Sequence, residues 1–460
     1  MFQLPFTEAW HNTTTLHPLA IALTVVLSVA LFILPRRYAL LPLLLAACFI
    51  SPAQRIVLLT MDFTMLRLLL LVGCARIALR GELIRLHWRT LDTLFVGWCI
   101  AGLVTYGVQF GSMDMFVHRL GSRYDAIGLY FLVRYLIRDW NDLVTLTTSV
   151  IVMSVPVTAS LLFERATGRN VFSIFGGVPE YTMVRAGRLR VQGAFGHPIL
   201  LGCFWAALFP LIVALIRVPS WRRWLVPVGV VTSVTAVLVT ASSTPWLVLF
   251  IACASMALYP VRRWMPWIRW SGVLGLIAIH LVMLKPIWHL IARADVVTGS
   301  TGWYRYKLVD EFFAHFNDWW LIGTHNYMNW YTYGFEAVTN QYVLEGVNGG
   351  LVTLLFFVGV IVEAYRAIGQ LLRRVHENAM QSAFAWAIGV SLTVHVVSFI
   401  GVAYTGQVHL LWFLVLAMAA TFQPLVQRSG MPYVLRLRAD KVSVTTDCAG
   451  NAEPTVVPAS

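Results

Sequence analysis

The side chains most able to do chemistry are arginines in two long stretches between apolar runs. Residues 164–196 carry Arg165, Arg169, Arg185, Arg188 and Arg190, and residues 291–340 carry Arg293, Arg305 and Lys307. One such cation alone is equally well explained as loop surface in water or at lipid headgroups. In clusters they fit an anion site, because a guanidinium binds phosphate through two parallel N–H donors. Residues 299–313 read as a helix capped by Ser300 or Thr301, with Leu308, Val309, Phe312, Phe313 and Phe316 on its apolar side. Such a helix is expected to lie on a membrane surface. It puts Arg305 in the first turn, where free N–H groups and the helix dipole already favour a negative group.

The elements that hold these loops follow from composition. Of 460 residues, 58% are AVILMFWYC and 12% are charged, and mean hydropathy is +0.73. A soluble domain averages about 25% charged residues, so the chain reads as an all-α, polytopic integral membrane bundle. About 20 helical residues cross a bilayer. Candidate spans are 18–34, 38–50, 56–79, 91–110, 124–137, 143–163, 198–216, 224–239, 245–259, 270–290, 350–365, 384–400 and 408–422, giving about 12–13 transmembrane helices, with 38–50 the weakest. The expected organisation is N-terminal spans in 1–163, a periplasmic loop 164–197, central spans in 198–290, a large periplasmic loop 291–349 with short helices, C-terminal spans in 350–422, and a polar, disordered cytoplasmic tail 423–460.

Lys and Arg in short loops are retained in the cytoplasm. One register collects Arg36, Arg37, Arg80, Arg85, Arg89, Arg134, Arg138, Arg217, Arg222, Arg223, Arg262, Arg263, Arg269, Arg366, Arg373, Arg374 and residues beyond Arg428, whereas the opposite short loops hold Arg55, Arg119 and Arg123. The net charge of +13 therefore marks orientation rather than a nucleic-acid surface, and the long arginine-bearing loops face outward. Residues 1–15 contain no Lys or Arg, so the first span is expected to stay rather than be removed as a signal peptide. Five of six cysteines, Cys48, Cys74, Cys99, Cys203 and Cys253, lie in apolar runs without CxxC spacing, as small hydrophobes do.

Several residues carry a second reading. Asp62, Arg67 and Lys285 fall within candidate spans, where ionisable groups are functional by default or form structural ion pairs. Glu345 stands where the chain re-enters the membrane and needs a partner or a task there. Asp139 and Asp142 read as a solvated cytoplasmic turn. The aromatics of the second loop, Trp303 to Tyr333, fit an interfacial belt, with a few left over to stack on sugar.

Four blocks in order resemble the O-antigen ligase and O-antigen polymerase superfamily of bacterial envelope proteins. They are Arg190-Val-Gln-Gly-Ala-Phe-Gly-His-Pro-Ile-Leu-Leu-Gly202; Thr240-Ala-Ser-Ser-Thr-Pro-Trp246; Gly302-Trp-Tyr-Arg-Tyr-Lys-Leu followed by Trp320-Leu-Ile-Gly-Thr-His-Asn326; and Val338-Thr-Asn-Gln-Tyr-Val-Leu-Glu-Gly-Val-Asn-Gly-Gly-Leu351. The resemblance implies an inner-membrane glycosyltransferase active on the periplasmic face, needing no cofactor and no metal. It would move glycan from undecaprenyl diphosphate to an acceptor glycan, with a polysaccharide flippase and a chain-length regulator as partners. Two departures stand out: the family's Ser-Arg-Gly turn is Ser242-Ser243-Thr244, and the ligase histidine is Thr339. They shift the expectation toward a polymerase of exopolysaccharide or O-antigen repeats. A ligase to lipid A core, a transporter, and a non-catalytic scaffold of export are the alternatives.

In such a transfer, charge develops on the departing diphosphate oxygen, and fixed cations can stabilise it. Arg190 and Arg305 are the first choices, with Arg188 and Lys307 in reserve and Asn340 beside them. The base for the acceptor hydroxyl is sought among His197, His325, Glu336 and Glu345. His197, preceding Pro198, could instead only shape a helix start, and His325 could be interfacial.

Overall fold

A long apolar run can satisfy its own backbone away from water only by coiling into a helix, and the computed structural model describes such helices across residues 13–58, 61–283, 285–293, 302–330 and 337–422. In order these are α1 (Pro18–Ile33), α2 (Leu41–Phe49), a hairpin of β1 (Arg55–Leu58) and β2 (Met61–Thr64), α3 (Met65–Leu79), α4 (Thr90–Phe110), α5 (Met113–Leu136) and α6 (Trp140–Thr167). A second hairpin, β3 (Val184–Arg185) with β4 (Arg188–Leu189), precedes α7 (Pro198–Ala214), α8 (Val226–Leu238), α9 (Ser243–Ala257) and α10 (Met265–Val282). The short α11 (Leu290–Arg293), α12 (Gly302–Ala314) and α13 (Phe316–Trp319) lead to α14 (Gln341–Arg374), α15 (Ala379–Gly401) and α16 (Val408–Phe422).

The result is an all-α bundle. Among the described residues, five helices are long and apolar enough to cross a membrane: Thr90–Phe110, Trp140–Thr167, Pro198–Arg217, Gln341–Arg374 and Ala379–Gly401. Apolar on nearly every side, α7 and α16 form the centre. Around them α7 packs on α8, α9 and α15, α16 on α5, and α4 on α14. The outer helices turn apolar side chains outward, as at Val25, Val104, Val152, Phe250 and Leu355.

One end of the bundle is tied by ion pairs. Arg36 forks onto Asp142 at 2.5 and 3.1 Å, Arg76 onto Glu82 at 2.9 and 2.7 Å, and Arg134 meets Asp92. These join the end of α1, the end of α3 and the starts of α4 and α6, so the arginine-bearing short connections share one end. The segments after α6 and α8, and before α7, α9 and α14, lie at the opposite end.

Several expected boundaries are corrected. Residues 56–79 are not one helix: β-branched Ile56 and Val57 pair across a hairpin with Phe63 and Asp62, and α3 begins only after the Thr64 cap. Asp62 bonds Arg55 at 2.9 Å, while Arg67 forks onto Asp125 of α5 at 2.8 and 2.6 Å. α5 starts eleven residues before the expected 124, because Gly111 turns the chain with φ 57°. Arg119 and Arg123 therefore stand on a helix rather than in a loop. Asp139 is exposed at the cap of α6, but Asp142, its partner in the capping box, is buried rather than part of a solvated turn. Lys285 is exposed beyond the end of α10. The expected tail, Ser300, Thr301, Glu336, Tyr331 and Tyr333 lie outside the described residues.

The largest revision concerns α14. It begins at Gln341, before the expected 350, and is broken at Gly350 (φ 68°, ψ −173°), a region open essentially to glycine alone. The segment 320–324 is fastened into this break. The Thr324 N–H donates to the Val347 carbonyl at 2.7 Å, and the Leu351 N–H donates to the Trp320 carbonyl at 2.8 Å. A Cβ on Gly350 would stand 2.4 Å from the Leu321 oxygen, whereas one on Gly359 of the same helix would meet only Leu94, at 3.7 Å. Gly350→Ala is expected to lower stability by at least about 1–3 kcal/mol, read as a thermal shift that Gly359→Ala does not show.

Candidate functional site

The loop between α6 and α7 is braced from several directions. Glu164, buried at the end of α6, accepts from the Gln192 and Gly193 N–H groups at 3.1 and 3.0 Å and from the Thr182 hydroxyl at 3.1 Å. Asn170 donates to the Gly193 carbonyl at 2.8 Å, and Gln407 donates to that of Ala194 at 2.9 Å. The Val191 N–H reaches the Val239 carbonyl at 3.3 Å. Buried backbone groups need such partners, and here they fix the chain on both sides of Arg190.

Arg190 is buried and donates through Nη2 to the Ser242 hydroxyl at 2.7 Å. Ser242 belongs to the turn where the family resemblance has Ser-Arg-Gly, and Ala241 beside it has φ 46°, an αL position that costs a residue with a Cβ about 1–2 kcal/mol. Burial, then the charges of Arg185 and Arg305, push Arg190 down to about 10. These three arginines come from β3, the braced loop and α12. Arg305 is itself buried, in the first turn of α12, and its neighbour Tyr304 anchors that helix by donating to the Ala337 carbonyl at 2.6 Å.

His197 lies within the same field. Burial first, then Arg190, Arg185 and Arg305, hold it down to about 4, so it is neutral near pH 7. It caps α7, its Nδ1 accepting from the Ile199 N–H at 3.1 Å. With Nδ1 an acceptor, the proton of the neutral ring sits on Nε2. His197 thus offers a donor rather than a base.

The other candidates separate. Arg185 and Arg188 are both exposed cross-strand partners; the β3–β4 hairpin turns through Ala186 and Gly187, both with positive φ, and it is the charge of Arg185 that reaches Arg190. Lys307 pairs along its own helix with Glu311 at 2.9 Å. Asn340 caps α14, accepting from the Tyr342 and Val343 N–H groups and donating to the Ile400 carbonyl, so its amide is already engaged. Glu345 is buried in α14 and accepts from Trp98 at 2.9 Å and Gln341 at 2.8 Å. His325 is exposed, its ring 5.8 Å from that of Phe110 at the end of α4. Glu345 and His325 therefore stand with α4, not with the arginine cluster.

Sequence reasoning passed over Glu164, Gln407, Ser242 as a partner of Arg190, and a buried His395–Tyr404 pair whose Nδ1 and Oη are 2.8 Å apart. The Tyr404 N–H donates to Gln341 at 2.8 Å, linking the α15–α16 turn to the start of α14. At Thr339, the position of the ligase histidine in the family resemblance, the hydroxyl is buried without a hydrogen-bond partner among the described residues. Those residues contain no group of three His, Cys, Asp or Glu side chains arranged to hold a metal ion.

Compared with protein-family models and with curated proteins, the chain matches none. The site is accordingly read from its own geometry. Glu164→Ala would orphan two buried N–H groups, at about 1–3 kcal/mol each; the expected result is a lowered melting temperature, with Glu164→Gln, which keeps one acceptor, falling between the two.

Proposed function

We propose that the chain is a multi-pass glycosyltransferase of a bacterial inner membrane, acting on the periplasmic face and extending lipid-linked polysaccharide repeats. The observation that carries this reading is the convergence of Arg185, Arg190 and Arg305, where among the described residues the charges acting on Arg190 are those of the other two, at the bundle end opposite the arginine-bearing short connections. Cations held together against their own repulsion favour a dianionic or trianionic ligand. A diphosphate whose lipid tail lies along the apolar helices has that charge and that shape. The four family-like blocks are also joined: Arg190 of the first bonds Ser242 of the second, Arg305 of the third acts on Arg190, and the third is hydrogen-bonded to the fourth through Thr324 and Val347.

In the proposed reaction the acceptor hydroxyl attacks the anomeric carbon of the donor. The bond from that carbon to the diphosphate oxygen breaks, the electron pair leaves with the diphosphate, and the hydroxyl proton passes to a base. Arg190 and Arg305 bind the diphosphate and stabilise the charge that grows on the departing oxygen. His197 adds a neutral donor near that charge.

Arg190→Ala and Arg305→Ala are each expected to lower glycan transfer by about 10²–10³-fold at unchanged protein level, measured with purified protein and an undecaprenyl-diphosphate oligosaccharide; normal product length in both variants contradicts the site. Because His197 is neutral from pH 5 upward and binds its proton only as pH falls toward 4, the rate profile is expected to have no limb near pH 6.5 that His197→Asn removes. Such a limb would assign it the role of base.

A further inference from the structure

A second pair of cations, Arg123 buried and Arg119 half-buried, stands apart from the first, between α4, α5 and α14. Arg123 is 5% exposed. Its guanidinium lies over the Trp98 ring, 4.3 Å from the centroid, and among the described residues its Nε and Nη2 have no hydrogen-bond partner. One turn earlier, Arg119 lies over Tyr106 at 4.9 Å, and its buried Nε also lacks a hydrogen-bond partner there. Gly102 makes room for this arrangement, since a Cβ there would be 2.2 Å from the Arg123 Nη2. The buried Oε1 of Gln109 is likewise without a hydrogen-bond partner among the described residues, while its Nε2 donates to the Val347 carbonyl at 3.2 Å.

Glu345 acts on Arg119, and it accepts from Trp98, the ring over which Arg123 lies. Each of the Glu345 oxygens accepts one hydrogen bond, from Trp98 and from Gln341, and among the described residues Glu345 is ion-paired with neither arginine. Buried donors left unmade are costly, and donors of one charge point to an anion. The flanking α4 and α5 expose Val104, Val108 and Leu120, a surface along which a lipid tail can lie. At the outer end, Tyr106, Phe110 and His325 form an aromatic rim of the kind on which sugar rings stack.

We propose that Arg119 and Arg123 hold a second lipid-borne phosphate or diphosphate, that of the acceptor, with the acceptor glycan passing the Tyr106–Phe110–His325 rim. This rests on the transferase reading and deepens it. A ligase to a lipid A core would have no use for a second polyprenyl diphosphate, whereas a polymerase must bind two at once. In the first turn of α14, Gln341 joins Glu345 to the backbone of Tyr404.

The test uses purified full-length protein in phosphatidylcholine nanodiscs, titrated with a fluorescent undecaprenyl-diphosphate disaccharide. Two sites per chain are expected. Arg119→Ala and the pair Arg119→Ala/Arg123→Gln should weaken one of them about tenfold or more and leave the other unchanged, with Arg190→Ala doing the reverse. Arg119 is only half-buried, so its single variant remains informative should the double variant unfold. A single site in the unsubstituted protein, or two sites indifferent to Arg119→Ala, overturns the proposal. Equal displacement by phosphatidylglycerol overturns it too, by making the second site one for bilayer lipid. Transfer measured in the same samples separates the two claims. Two sites with no transfer refute the transferase and leave the anion site standing, whereas transfer with an unmoved acceptor KM in Arg119→Ala removes the second site alone.

Discussion

Guanidinium groups buried side by side repel one another, and each loses hydration that nothing apolar restores. Arg190 meets both costs, with burial acting before the neighbouring charges of Arg185 and Arg305. Such an arrangement persists only if the surrounding backbone is held too firmly to let the side chains leave. The bonds from Glu164, Asn170 and Gln407 to the chain around Gly193 meet that need. The end of α6 and the α15–α16 turn are thereby both committed to one short loop.

The same economy governs α14. Its break at Gly350 would leave backbone groups unsatisfied were the 320–324 segment not hydrogen-bonded into it. That segment is also the third family-like block, and it follows the helix that carries Arg305. Kink, loop and cation are thus one mechanical unit. The first turn of α14, before the kink, is held in turn by Gln341, which donates to Glu345 and accepts from the Tyr404 N–H.

Much of the helix layout was legible in the sequence because apolar runs bounded by basic residues leave the backbone few alternatives. The 56–64 hairpin was not, since Ile56, Val57 and Phe63 are as apolar as a helix requires and hydropathy does not separate the two. The start of α5 was obscured by its own cations: Arg119 and Arg123 read as loop residues until Trp98 and Tyr106 were seen to lie beneath them. At the site, Arg190 and Arg305 could be chosen from clustering and helix position. Arg185 could not be preferred over Arg188, because that choice turns on a two-residue turn at Ala186 and Gly187. Glu164 and Gln407 act through partners far away in sequence, which spacing cannot reveal.

Under the proposed function, Arg190 and Arg305 together receive the diphosphate of a polyprenyl carrier. Cryo-electron microscopy of the protein with undecaprenyl diphosphate bound tests it most directly. The account predicts phosphate density within about 3 Å of both guanidinium groups, with the prenyl tail running along the apolar helices. Density lodged elsewhere, with Arg190 still turned to Ser242 alone, would contradict it.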